Sequence, residues 1–215
     1  MQAKNTLYPI FLKLEKIEVL IIGAGEIGLE KLTYMLKSSP EANITVIAKE
    51  FHFRVVELSH FYSNVNLIEK AYHSTDLEDI DLLIVATDDF ELNTQIKKDA
   101  KNLNLLANVA DNPELCDFYL GGIVTKGNVK MGISTNGQSP TLAKKLRMFF
   151  EEVIPDEVEY SAELLNEIRG KIKQDLHGKI TTLNTVTSVL NEKTTYKENY
   201  QSKKFAEADF QIFLN

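Results

Sequence analysis

Residues Val19–Leu32 read VLIIGAGEIGLEKL. Four apolar residues, two of them isoleucine, stop at Gly23 and predict a short buried strand. Gly23, Gly25 and Gly28 then stand in G-x-G-x-x-G spacing. From Glu26 to Lys37 the apolar residues Ile27, Leu29, Leu32, Met35 and Leu36 recur at helical spacing. A bare glycine match is a weak signal, and a ligand-free glycine turn is its alternative. A strand before and a helix after are the context in which the motif binds a dinucleotide. Gly23 then permits the tight turn, Gly25 lets the backbone approach a pyrophosphate, and Gly28 lets the helix pack on the strand. The helix start offers free N–H groups and a positive dipole end to the phosphates.

Outward from that loop, the same alternation continues. Apolar runs at Ile44–Ile47, Val65–Ile68, Leu82–Ala86 and Leu105–Val109 are separated by helical stretches near 52–62 and 90–102. Buried strands alternating with helices predict a parallel sheet covered on both faces, doubly wound by right-handed crossovers. After Pro113 the pattern changes. Phe118–Thr125 and Val129–Ser134 read as two strands around the turn Lys126-Gly127-Asn128. Ser139-Pro140 then opens a helix, serine as cap and proline in the first turn. A second helix is expected over about 156–174. The remainder is polar and rich in Thr, Lys and Glu, readable as a helix pair or as loosely ordered chain. The expected division is 1–113, 114–150 and 151–215.

Of 215 residues, 44% are hydrophobic and 26% charged, which suits a soluble globular protein with a core. The net charge of −7 argues against a nucleic-acid partner, which needs clustered positive charge. A single cysteine excludes an internal disulfide and fits a reducing compartment. No apolar run approaches the ~20 residues that span a bilayer, and the first residues lack a signal-like apolar core. The expectation is a cytoplasmic protein without a membrane partner.

The candidate site residues sit at strand ends. The second strand closes on Ala48-Lys49-Glu50. Glu50 is placed, slightly late, to hold ribose hydroxyls, whereas Lys49 suits a 2′-phosphate. The choice between NAD and NADP stays open, with NAD favoured because no arginine stands there. Thr87 and Asp88 follow the fourth strand, where one of them is expected to cap the next helix and both face the ligand edge of the sheet. After the fifth strand comes NVADNPELCD, Asn108–Asp117. By itself, Asp111 reads first as an Asx-turn residue opening Asp-Asn-Pro. A carboxylate at that strand end is also placed to accept a proton near a nicotinamide. Cys116 reads as a small core residue. His52, His60, His73 and His177 show no metal-ligand spacing, so no metal site is expected.

Four ordered stretches carry a family resemblance: YPIFLKLEKIEVLIIGAGEIGLEKL, LLIVATDDFELN, NVADNPELCDFYLGGIV and ISTNGQSPTLAKKLR. Together, from about Leu7 to Glu152, they resemble precorrin-2 dehydrogenase, the dehydrogenase module of sirohaem synthase. The resemblance implies a Rossmann domain, a small dimerisation region with exchanged strands, and a helical C-terminal part. It implies a homodimer that oxidises precorrin-2 to sirohydrochlorin with NAD. It makes Asp111 the catalytic residue. Gly23, Gly25, Glu26, Ile27, Gly28, Glu50, Phe51, Thr87 and Asp88 become the cofactor-binding set. Asn108, Ser134, Thr135, Gly137 and Ser139 become the substrate-binding set, facing a polycarboxylate tetrapyrrole. Free N–H groups after Ser139, with Lys144, Lys145 and Arg147, suit the carboxylates, the alternative for the cations being a solvated helix face. One alternative adds ferrochelatase activity, with Asp111 also taking protons from pyrrole nitrogens. Another, of a different class, is a non-catalytic dinucleotide-binding regulatory module. No methyltransferase region follows the helical part, so methylation of uroporphyrinogen is not expected. The tail beyond about Gln174 resembles nothing identifiable.

Overall fold

The computed structural model describes residues 5–156 and 158–171, together with Gly178. The chain divides into two compact units, Met1–Asp156 and Glu157–Asn215. In the second unit the described helix α5 spans Val158–Lys171. The expected tail lies outside the described residues.

The first unit alternates β1 (Glu18–Ile22), α1 (Glu26–Ser38), β2 (Asn43–Ala48), α2 (Phe53–Phe61), β3 (Val65–Glu69), β4 (Leu82–Val85), α3 (Phe90–Asn102) and β5 (Leu106–Val109). All five strands are parallel, in the order β3-β2-β1-β4-β5. The chain therefore leaves β1 toward one edge, then returns to β4 and builds toward the other. This reversal between β1 and β4 is the switch point at which open α/β sheets bind ligands.

Both faces of the sheet are buried, which is why the strands read as continuous apolar runs. On one face Val19, Ile21, Ile44, Val46 and Ile84 pack with Leu32, Met35 and Leu36 of α1 and Val55 of α2. On the other, Leu20, Ile22, Leu83 and Val85 pack with Ile96 and Ala100 of α3. The expected strands and helices from β1 to β5 agree with those observed to within a residue or two.

A second sheet holds two antiparallel strands, β6 (Gly122–Lys126) and β7 (Val129–Ile133), turning at Gly127 with φ +53°. The sequence reading began its first strand at Phe118, four residues too early. Phe118 is instead tied to β5, its carbonyl accepting from the Asn108 side chain at 2.9 Å. Helix α4 (Pro140–Val153) packs on β6. Ser139 caps it, Oγ accepting from the Leu142 N–H at 3.2 Å, and Pro140 fills the first turn, as expected.

Candidate functional site

Ile22 pairs with Ile47 and with Val85, and Val85 pairs with Val109. The carboxyl ends of β2, β1, β4 and β5 thus lie level, about 4.8 Å apart from strand to strand. The loops that follow them form one continuous rim. Backbone bonds fix it: Gly23 N–H donates to Ile47 at 2.9 Å, Ala86 to Ile22 at 2.7 Å and Ala110 to Val85 at 2.8 Å.

The three loop glycines do three separate jobs. Gly23 has φ +101°, and a Cβ there would stand 2.4 Å from the Ala86 carbonyl oxygen. A Cβ on Gly28 would stand 2.1 Å from the Gly23 carbonyl oxygen. Gly28 therefore closes the helix onto the loop itself rather than onto the strand. Gly25 differs from both, since a Cβ there meets nothing within 4 Å. No fold constraint demands a glycine at 25, and it faces open space at the start of α1. No side chain caps that helix start, so its first-turn N–H groups remain available to an anion. These residues fit the pyrophosphate of a dinucleotide.

The segment after β2 folds back onto this loop. The His52 N–H donates to the Ala24 carbonyl at 2.9 Å, and its Nδ1 accepts from the Arg54 N–H at 3.2 Å, capping α2. Its Nε2 lies 3.2 Å from Glu26 Oε1. This strap over the glycine loop was not legible in the sequence, where His52 is one of four scattered histidines. Lys49 and Glu50 are exposed, whereas Phe51 is half-buried and packs on the core.

After β4, the helix cap is neither of the two residues expected. Asp89 caps α3, its carboxylate accepting from the Leu92 N–H at 2.9 Å. Helix α3 starts one residue later than a cap at Asp88 requires. Thr87 instead donates to the side chain of buried Asn93 at 2.5 Å, and Asn93 donates back to the Thr87 carbonyl at 3.0 Å. Asp88 is left exposed on the rim.

Asp111 stands at the tip of the loop after β5, exposed, with φ +59°. The left-handed region suits Asp and Asn among residues with side chains. The Asx-turn reading fails, because residue i+2 is Pro113, which has no N–H to donate. Among the described residues nothing bonds to the Asp111 carboxylate. It is a free anion at the end of a buried strand.

The loop behind it is tightly held. Asn108, expected to bind substrate, is 6% exposed, and its amide donates to Phe118 O and, at 3.5 Å, to Cys116 Sγ. With its amide engaged there, Asn108 braces the loop from the inside. Asp117 accepts from the Ala107 N–H at 2.9 Å and from the Lys97 ammonium. Partial burial works against its charge, but those two donors outweigh it and hold the carboxyl below the usual range. Burial pushes the Cys116 thiol up, against the lowering effect of its bond with Val109.

The 134–139 loop is also self-bonded. Thr135 Oγ1 accepts from the Ser139 N–H at 3.2 Å, and Ser134 Oγ accepts from the Asn136 N–H at 3.1 Å. Asn136 and Gly137 both have positive φ. The expected anion site at the start of α4 is mostly consumed. Pro140 has no N–H, Leu142 donates to the Ser139 side chain and Ala143 to the Ser139 carbonyl, leaving only Thr141. Arg147 pairs with Glu151 at 2.6 Å, while Lys144 is exposed. Among the described residues no three His, Cys, Asp or Glu side chains are grouped to hold a metal, and no helix is long and apolar enough to cross a membrane.

A level-ended parallel sheet, with an uncapped glycine-loop helix at its switch point, defines a dinucleotide-binding Rossmann domain. The chain belongs to an NAD(P)-binding family, whose model matches residues 10–122. Residues 126–152 match the central segment of sirohaem biosynthesis proteins. The siroheme synthase of Psychrobacter cryohalolentis is 39% identical over 176 residues, covering 82% of this chain and 32% of that protein. That of Methylococcus capsulatus is 37% identical over 166 residues, covering 77% and 34%. The chain thus spans about a third of the length of the curated relatives it matches. Among solved structures, SirC, a precorrin-2 dehydrogenase, superposes with a TM-score of 0.66 at 23% identity, covering 84% of this chain and 89% of that one. It shares the fold.

Proposed function

We propose that this protein oxidises precorrin-2 to sirohydrochlorin, with NAD as oxidant. The observation that carries the reading is the free carboxylate of Asp111 on the same rim as the vacant space over Gly25. NAD, when bound, accepts the hydride. Gly23, Gly25, Glu26, Ile27 and Gly28 would hold its phosphates at the start of α1. Glu50, Phe51, Thr87 and Asp88 would hold the rest of the cofactor. Asp111 takes up the proton that leaves the tetrapyrrole as the hydride departs, so two hydrogens are removed without a net charge left on the macrocycle. Ser134, Thr135, Gly137 and Ser139 shape the substrate loop, and Lys144 faces the carboxylates. Siroheme synthases named among the relatives, and the dehydrogenase among the structures, support this assignment.

The chain divides functionally into a dinucleotide domain at 1–113, a dimerisation region at 114–150 and a C-terminal region at 151–215. It works as a homodimer. A two-strand sheet is marginal in water alone, and only Val124 of the β6–β7 hairpin is fully buried. Helix α4 buries no residue fully, its Leu142, Met148 and Phe149 are exposed, and so are Ile123 of β6 and Tyr119 and Leu120 just before it. A second copy of the same segment would cover them.

The test is an anaerobic assay of precorrin-2 with NAD, then NADP, followed by ferrous or cobaltous ion. Appearance of sirohydrochlorin with NAD supports the proposal. Binding of NAD without turnover would favour a regulatory module, and metal uptake would add chelatase activity.

A further inference from the structure

The loop between β5 and β6 is fastened by side chains in an uncommon way. Strand β5 is the outer strand of the sheet. Ala110 donates inward to Val85, so by alternation Ala107 and Val109 turn their polar groups away from β4. Among the described residues no further strand pairs with them. Instead, the Asp117 carboxylate accepts from the Ala107 N–H, and the Asp117 N–H donates to the Ala107 carbonyl at 2.8 Å. At Val109 the partner is a thiol. Cys116 Sγ accepts from the Val109 N–H at 3.3 Å, and the sulfur lies 3.1 Å from the Val109 carbonyl oxygen and 3.4 Å from that of Asn112, so its one S–H is shared between them. The Asn108 amide reaches the same sulfur.

The two residues between these anchors are Ala110 and Asp111. One sulfur therefore holds both the residue before the pair and the residue after it. Asp111 itself contributes no bond to its own φ of +59°. The Asn112 N–H donates to the Val109 carbonyl at 3.3 Å and closes the turn through the backbone, and Cys116 holds both of those residues from the side.

Building on the reading of Asp111 as the base, we propose that Cys116 is a positioning residue for the oxidation: its thiol clamps Val109 and Asn112 and so aims the Asp111 carboxylate. It touches neither substrate nor cofactor. Loss of the clamp lets the Asp111 turn relax, and a displacement near 1 Å at a reacting group costs on the order of 100-fold in rate.

The experiment compares Cys116→Ala and Cys116→Ser, alone and with Asp111→Asn, in the full chain. Readouts are kcat and KM for precorrin-2, the NAD dissociation constant and the pH profile of kcat. Cys116→Ala should lower kcat by about 10- to 100-fold, with KM and NAD affinity little changed. Cys116→Ser, which keeps a donor and an acceptor on a shorter arm, should recover part of the loss. In the Asp111→Asn background Cys116→Ala should cost nothing further, since there is no base left to aim. The proposal is overturned if the two losses multiply, if Cys116→Ala only lowers thermal stability while the folded enzyme turns over normally, or if serine is no better than alanine. If Asp111→Asn alone turns over normally, the reading of Asp111 fails first, and the failure is then of the base and not of the clamp.

Discussion

Replacing Gly25 by valine should separate cofactor binding from folding. At Gly25 φ is −78° and ψ −159°, extended backbone that valine adopts without strain. A Cβ there meets nothing within 4 Å, so the two methyls find room in the unliganded chain. They occupy the space above the first turn of α1. A pyrophosphate held by the uncapped N–H groups gains about 1.5–3 kcal/mol from each charge-assisted bond. Displacing it from two of them removes about 3–6 kcal/mol, or roughly 10²- to 10⁴-fold in affinity. Titration calorimetry with NAD on the folded variant measures this directly. Gly28→Ala is the opposite control. Its Cβ would stand 2.1 Å from a backbone oxygen that has nowhere to swing, so overpacking should cost about 1–3 kcal/mol of stability. If Gly25→Val binds NAD within about threefold of wild type, a change of only ~0.7 kcal/mol, the pyrophosphate is not over this loop. If it unfolds, the open space at Gly25 is misread.

Asp111→Asn keeps a residue type that tolerates the left-handed backbone, so the melting temperature should hold while kcat falls at least about 10²-fold, as measured by anaerobic turnover. Asp117, whose carboxyl is held low by Lys97 and Ala107, should stabilise the fold above its unfolded pKa, near 4, and stop doing so as pH falls through its lower folded value. The stability gap between wild type and Asp117→Asn, followed by urea titration, should therefore be widest near neutrality and shrink below about pH 4. A gap constant down to pH 2 would remove the charge from the account. Light scattering should give twice the chain mass, and a monomer at micromolar concentration would refute the covered hairpin.

The sheet was legible because its signals are local. Val19–Ile22, Ile44–Ile47 and Leu82–Ala86 are buried on both faces, and burial on both faces writes an unbroken apolar run into sequence. The glycine spacing was legible for the same reason. What escaped reading depends on atoms distant in sequence. The His52 strap to Glu26 and the Lys97–Asp117 pair join residues whose types fit many roles. Asn108 takes its expected substrate role from the resemblance alone, and the carbonyl that its amide reaches, ten residues on, is not announced by the sequence. The strand start at Phe118 misled because aromatic, β-prone residues there are used to tie a loop. Asp111 is the mixed case. A turn was readable from Asp-Asn-Pro, but not its kind: the proline's missing N–H rules out the Asx turn and leaves the carboxylate without a bond among the described residues.

The side-chain bonds on Ala107 and Val109 also matter outside the reaction. An outermost strand with bare N–H and C=O groups is a template for another chain, and proteins protect such strands by covering or charging them. Here the cover is a thiol and a carboxylate supplied by the very loop that carries Asp111. Substitutions that loosen this loop should therefore harm the protein twice, slowing turnover and opening the sheet to extension by a neighbour. Variants at Cys116 or Asp117 selected for altered chemistry should show their cost first in yield and aggregation.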